Sequence, residues 1–184
     1  MVRNIRSKAK KAATKIIEEF NVKAAPINLD AIAEQKGIRV IYSDALEKDG
    51  ISGMMYHEEG CPVIVINKSH GTERKRFTFA HELGHYHLHQ SGNFVDRENN
   101  KKVNFRNSRS GLAIDNKEIE ANTFAANLLM PKELLRESAV AFIEKNPSSK
   151  VEDLIQEMAE NFQVSTLAME YRLKNCGFID PNYS

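Results

Sequence analysis

The chain has 184 residues, 41% of them hydrophobic and 28% charged, with a formal net charge of +1. Its size suits one domain with at most a small appendage, and the charge gives the whole molecule no strong pull on nucleic acid or membrane. No apolar run reaches 18 residues, the N-terminus lacks the apolar region of a secretory signal, and Cys61 and Cys176 are too few for a disulfide framework, so a cytoplasmic protein with reduced thiols is expected.

Residues 1–23 carry seven Lys/Arg and two Glu, a local net of +5. Ile5, Ala9, Ala12, Ala13, Ile16, Ile17 and Phe20 recur at helical spacing, which predicts an amphipathic helix with a basic outer face. Asn28 is placed to cap a short helix ending at Gly37. Strands are predicted at 38–42, 51–56 and 62–66, with residues 57–60 as a hairpin loop between the last two. The third strand, Pro62-Val63-Ile64-Val65-Ile66, is almost continuously apolar and should be covered on both faces.

Thr72 is placed to cap the next helix, with Glu73 in its first turn. This helix contains His81-Glu82-Leu83-Gly84-His85, a His-Glu-x-x-His pattern. Residues four apart share a helix face, so His81 and His85 can offer their imidazoles to one ion. Glu82 is rotated by about 100° from His81, off the ligand face but within reach of a water at that ion. Two neutral nitrogens beside a carboxylate base are the donor set of a hydrolytic zinc site. One Zn2+ per chain is the expected cofactor, with another divalent metal as the alternative. Gly84 lowers helix stability by about 1 kcal/mol relative to Ala and marks a close approach of another backbone or of substrate. His89 continues the series 81, 85, 89, but eight residues of helix rise about 12 Å, too far for all three to meet one ion.

Residues 90–117 are mostly polar and read as a long loop, with Val103-Asn104-Phe105 as a short strand and Arg106 and Arg109 as candidate substrate contacts. The helix after it is expected to start at Asp115 as N-cap, with Glu118 three residues on as the reciprocal capping carboxylate. Glu120 lies on the stripe Glu120, Phe124, Leu128, where a carboxylate needs a partner, and is the expected third metal ligand. Pro131 separates this helix from one running to about Lys145. Ser149 with Glu152 predicts the cap of a helix whose apolar stripe is Val151, Leu154, Ile155, Met158, Ala159 and Phe162, and Ser165 caps a last helix ending near Gly177. Residues 132–184 hold six Lys/Arg and nine Asp/Glu, a net of −3, which disfavours reading the final helix pair as a DNA-binding module.

Two separated motifs carry a resemblance. Arg76-Phe77-Thr78-Phe79-Ala80-His81-Glu82-Leu83-Gly84-His85, followed by Glu118-Ile119-Glu120-Ala121-Asn122-Thr123-Phe124-Ala125-Ala126-Asn127-Leu128-Leu129-Met130-Pro131, resembles the ImmA/IrrE family of bacterial and phage metallo-endopeptidases. The hairpin from Ile51 to Asn67 is also similar, and the likeness covers roughly residues 5–135. It implies an α+β fold: a zincin-like core with a small, three-stranded or larger, mostly antiparallel sheet on the HExxH helix, followed by C-terminal helices. It implies His81, His85 and Glu120 as ligands and Glu82 as the catalytic group. It further implies cleavage of a helix-turn-helix repressor, relieving repression of mobile-element or stress genes. The expected division is a metallopeptidase domain at 1–145 and a helical appendage at 146–184.

In the expected mechanism Glu82 takes a proton from the attacking water and returns it to the departing amine. Candidates for substrate contact or a second oxyanion donor are His57, His70, Tyr86 and Arg106. The rival reading is a non-catalytic anti-repressor that acts by binding, with a structural or idle metal site. Direct nucleic-acid or membrane binding is not expected.

Overall fold

Runs rich in Val, Ile and Met supply most of the sheet, because branched and long apolar side chains suit a pleated surface covered on both faces. The computed structural model describes residues 2–89, 94–97 and 108–183. Strands β1 (Arg39–Ser43), β2 (Ile51–Glu58), β3 (Cys61–Asn67) and β4 (Phe94–Arg97) form one sheet in the order β1-β3-β2-β4. β2 is antiparallel to both β3 and β4, and β1 is parallel to β3. The fold is therefore α+β with a mostly antiparallel sheet, as the resemblance implies.

Alternation along β3 divides the apolar residues between two faces. Ile64 and Ile66, with Met55 of β2, join the main core. Val63 and Val65 join Ile51 and Leu46, the latter from the 3-10 turn Asp44–Asp49. The hairpin is tighter than its sequence suggests. Pairing continues to Glu58 opposite Cys61, which leaves only Glu59 and Gly60 as the turn, at φ +51° and +85°. Two consecutive positive φ values match the twist of the flanking strands, and His57 becomes part of β2.

Seven α-helices are described: α1 (Val2–Glu19), α2 (Leu29–Gln35), α3 (Thr72–Leu88), α4 (Ser108–Leu129), α5 (Lys132–Lys145), α6 (Val151–Phe162) and α7 (Thr166–Cys176). Asn28 accepts the Ala31 N–H at 3.0 Å and Ser165 accepts that of Ala168 at 3.2 Å, as expected of caps. Two caps are displaced by one residue. Gly71 rather than Thr72 precedes α3, and the Lys150 N–H is taken by Asp153 rather than that of Ser149 by Glu152.

The larger departures fall in the polar stretch. β4 lies inside what reads as loop, carried by the apolar pair Phe94-Val95. The strand expected at Val103–Phe105 falls outside the described residues. α4 begins at Ser108, so Asp115 lies two turns inside the helix and cannot be its N-cap. Glu118 is thereby released from the capping role assigned to it.

α3 is the centre of the molecule, with Thr78 to His85 all buried between the sheet and α4. Two glycines allow that approach. A Cβ on Gly53 of β2 would come within 2.4 Å of Thr78 Cγ2, and one on Gly84 within 3.1 Å of Ala121 Cα. α1 lies along α4 and buries Ala9, Ala13 and Ile16. At the far end of α4, the buried Arg172 of α7 donates to the Met130 carbonyl from Nε and Nη2, at 3.0 and 2.8 Å, and to Asn127 Oδ1 at 2.9 Å. The main apolar cluster runs from Ala9 through α4 to Leu173 and includes Leu154, Ile155 and Met158, so it extends across residue 145. Among the described residues no helix is long and apolar enough to cross a membrane.

Candidate metal centre

One turn of α3 separates His81 from His85, and their Nε2 atoms lie 3.0 Å apart. Opposite them, Glu118 of α4 places Oε2 3.3 Å from His81 Nε2 and Oε1 3.3 Å from His85 Nε2. The two nitrogens and a carboxylate oxygen all fall within 4.8 Å of one another. The two histidines are buried, and the Glu118 side chain is 35% exposed.

Glu120 is elsewhere. Two residues along a helix amount to about 200° of rotation, so Glu118 and Glu120 cannot face the same group. Glu120 Oε2 sits 3.5 Å from Nδ1 of the buried His89, and Oε1 sits 3.7 Å from Lys8 Nζ. A carboxylate on an apolar stripe does have a partner here, but the partner is a histidine at the end of α3. The expectation that Glu120 would join His81 and His85 therefore differs from the observed geometry. The difference traces to starting the helix at Asp115, which gave Glu118 a structural task.

Glu82 is fully buried next to His81, and among the described residues neither of its carboxyl oxygens has a hydrogen-bond partner. It approaches the sheet where Gly53 leaves space, since a Cβ there would lie 3.2 Å from Glu82 Oε1. Burying a carboxyl in this way favours its neutral form, and a positive charge beside it would favour the ionised one.

Protonation follows from burial and neighbours. Burial lowers the affinity of His81 for a proton. The hydrogen bond to Glu118 and the charges of Glu82, Glu118 and Asp96 outweigh it and raise the pKa to about 9. His85 is pushed down to about 4, chiefly by burial. Glu118 is held well below the usual carboxylate range: burial opposes this, but hydrogen bonds from His81 and His85 prevail. Burial raises Glu82 to about 8. The carboxylate of Glu118 thus favours positive charge at the point where the two imidazole nitrogens face it. A cation with affinity for nitrogen and oxygen fits the same position, and two histidines with one carboxylate are a donor set suited to zinc.

The surroundings orient these groups. Asn122, one turn along α4 from Glu118, has its Oδ1 3.1 Å from His81 Nδ1. A carbonyl there accepts the Nδ1–H and turns the Nε2 lone pair toward the cluster. Phe94 of β4 stacks on the His85 ring, with centroids 4.2 Å apart and planes within 9°. Asp96, two residues on, hydrogen-bonds Ser52, and its carboxyl is raised mainly by burial. None of these three was singled out in the sequence. For Asn122 the signal was present, since it repeats the face of Glu118 four residues later.

The other candidates lie apart from the cluster. His57 is exposed near the hairpin tip, four residues or roughly 13 Å along β2 from Gly53. His70 is half-buried in the turn between β3 and α3. Tyr86 packs on the main core and meets His87 edge-on at 5.1 Å. Arg106 lies outside the described residues.

The IrrE N-terminal-like domain, peptidase family M78, matches the chain over residues 33–174. An uncharacterized immunity region protein 2 of Bacillus phage phi105 is 35% identical over 81 residues, 44% of this chain and 46% of that protein. The metallopeptidase ImmA of Bacillus subtilis (strain 168) is 28% identical over 126 residues, 68% of this chain and 64% of that protein. The chain thus spans from about half to just under two thirds of the length of these curated relatives.

Proposed function

The chain belongs to the IrrE N-terminal-like domain family, and from that premise we propose that it is a zinc-dependent endopeptidase with His81, His85 and Glu118 as ligands and Glu82 as general base. The observation that carries this reading is the meeting of two Nε2 atoms and a carboxylate within 4.8 Å, beside a buried carboxyl that has no hydrogen-bond partner among the described residues.

When bound, the ion supplies Lewis-acid chemistry, polarising a peptide carbonyl and making a water molecule more acidic. The chain's own residues do the rest. Glu82 removes a proton from the attacking water and delivers it to the departing amine nitrogen. Burial raises its carboxyl pKa to about 8, and a positive charge beside it would favour the ionised form that accepts the proton. Asn122 holds His81 in the tautomer that presents Nε2. Among the described residues β4 forms the sheet edge beside the cluster, and an extended substrate can add to it through main-chain hydrogen bonds.

The proposed substrate is a helix-turn-helix repressor whose cleavage relieves repression of mobile-element or stress genes. Its support is the ImmA/IrrE resemblance together with the relative named for a phage immunity region. Co-expression with repressors encoded beside the gene, followed by mass spectrometry, tests this. Wild type should yield two repressor fragments and Glu82→Gln the intact protein. Relief of repression by both forms, with the repressor uncut, would instead establish the binding-only alternative.

A further inference from the structure

A histidine that binds a metal is ordinarily held in orientation by a hydrogen bond from its second ring nitrogen. His81 has such a bond to Asn122. His85 does not: its Nδ1 is buried and has no hydrogen-bond partner among the described residues. Rotation of an imidazole about its Cβ–Cγ bond is otherwise soft, because torsions onto planar rings have broad minima. The group that does meet the ring of His85 face to face is Phe94, with centroids 4.2 Å apart and ring planes nearly parallel.

We propose that Phe94 is a positioning residue for the metal centre, its stacked ring fixing the plane in which His85 presents Nε2. The inference rests on the ligand reading given above. Phe94 is suited to the task because its own place is fixed from several sides. β4 pairs antiparallel with β2, with Phe94 opposite Met55, a residue of the main core. The Lys117 ammonium lies 5.2 Å from the Phe94 centroid, on α4 immediately before Glu118. The His89 ring lies 5.7 Å away on α3. One side chain of the sheet edge therefore touches both helices that carry the donors. Stacking supplies for His85 the orientation that an amide supplies for His81.

The test compares Phe94→Leu, which keeps an apolar side chain but no ring, with Phe94→Tyr, which keeps the ring plane. Val95→Thr is the control, since Val95 is the exposed neighbour on the same strand. Zinc affinity is measured by competition with a chromophoric chelator, and ligand geometry by the visible spectrum of the cobalt-substituted protein. Phe94→Leu should bind zinc about tenfold or more weakly, within the range seen when groups behind metal ligands are removed, and its cobalt bands should shift. Phe94→Tyr and Val95→Thr should match wild type. Should Phe94→Leu fail to fold, Phe94→Met keeps more volume and carries the same expectation. Wild-type affinity and spectrum in the Leu or Met variant overturn the proposal, as does an equal loss in Val95→Thr, which would make strand integrity the cause. A wild type that takes up no zinc overturns the ligand reading itself, an outcome distinct from tight binding that ignores Phe94.

Discussion

Glu118 and Glu120 stand two residues apart on α4 and engage different histidines of α3: Glu118 Oε2 lies 3.3 Å from His81 Nε2, and Glu120 Oε2 lies 3.5 Å from His89 Nδ1. The helical rotation between them assigns one carboxylate to the cluster and the other to the end of α3. Glu118→Gln should therefore abolish stoichiometric zinc uptake. Glu120→Gln should retain the metal and lose some stability, because the His89 partner changes from a carboxylate to an amide. Elemental analysis of the two purified variants checks this, and metal loss confined to Glu120→Gln would reverse the assignment.

Glu82→Gln should keep zinc and fold while losing proteolysis. The amide is close in shape to the carboxylate but cannot accept a proton from water. General-base catalysis contributes about 10²–10⁴-fold, so turnover should fall at least a hundredfold. The substitution also removes an ionisable group that is buried without a partner. The metal-free variant should melt no lower than wild type, a result that calorimetry with chelator present can read.

Asn122→Ala should weaken zinc binding by about 10–100-fold, the usual effect of removing a hydrogen bond behind a ligating imidazole. Its Oδ1 is 3.1 Å from His81 Nδ1. Chelator competition measures the change. An affinity equal to wild type would mean that the ring of His81 is held by something other than the amide.

His87 makes a pH prediction. Burial lowers its pKa from 6.5 to about 4, and its Nε2 has no hydrogen-bond partner among the described residues. Between those values the unfolded chain binds the proton that the folded chain refuses, so stability falls as pH drops from 6.5 toward 4. Above 6.5 the group is neutral in both states and contributes no slope. The ring stacks on Phe124 with centroids 5.7 Å apart, so His87→Phe keeps an aromatic ring in place. Urea midpoints with chelator at pH 7, 6 and 5 should show the variant gaining on wild type as pH falls. A constant difference between the two proteins would contradict this.

Gly84→Ala should destabilise the protein although alanine is the better helix former. Its Cβ would meet Ala121 Cα at 3.1 Å, Ala121 O at 3.2 Å and Phe124 Cδ1 at 3.2 Å. The first two are backbone atoms and cannot swing aside. Overpacking of this kind costs about 1–3 kcal/mol, against about 1 kcal/mol from helix propensity. A lowered denaturation midpoint is expected, and a raised one would show that the two helices can separate at little cost.

Legibility in the sequence depended on range. His81, Glu82 and His85 are three residues of one helix, so periodicity alone fixes their relative directions. The buried strand β3 was readable from its unbroken apolar run, and Asn28 and Ser165 from the chemistry of caps. Glu118 was not readable, because its direction depends on how α4 meets α3. The polar run Ser108-Arg109-Ser110-Gly111 also concealed the first turn of that helix. β4 was hidden for a related reason. Two apolar residues among polar neighbours make no pattern, and the strand is specified by its pairing with β2, some forty residues earlier.

The packing of α1 on α4 has a consequence for where this protein can be cut. The family match begins at residue 33, beyond α1. A fragment starting there would contain His81, Glu82, His85, Glu118 and Asn122 without exception. It would also uncover the side of α4 that Ala9, Ala13 and Ile16 bury, and remove Lys8, which bonds to the Leu88 carbonyl at 3.4 Å and pairs with Glu120. The span of the family match and the mechanical autonomy of the site are separate properties here. Residues 2–19 act as an internal splint for the helix that carries Glu118.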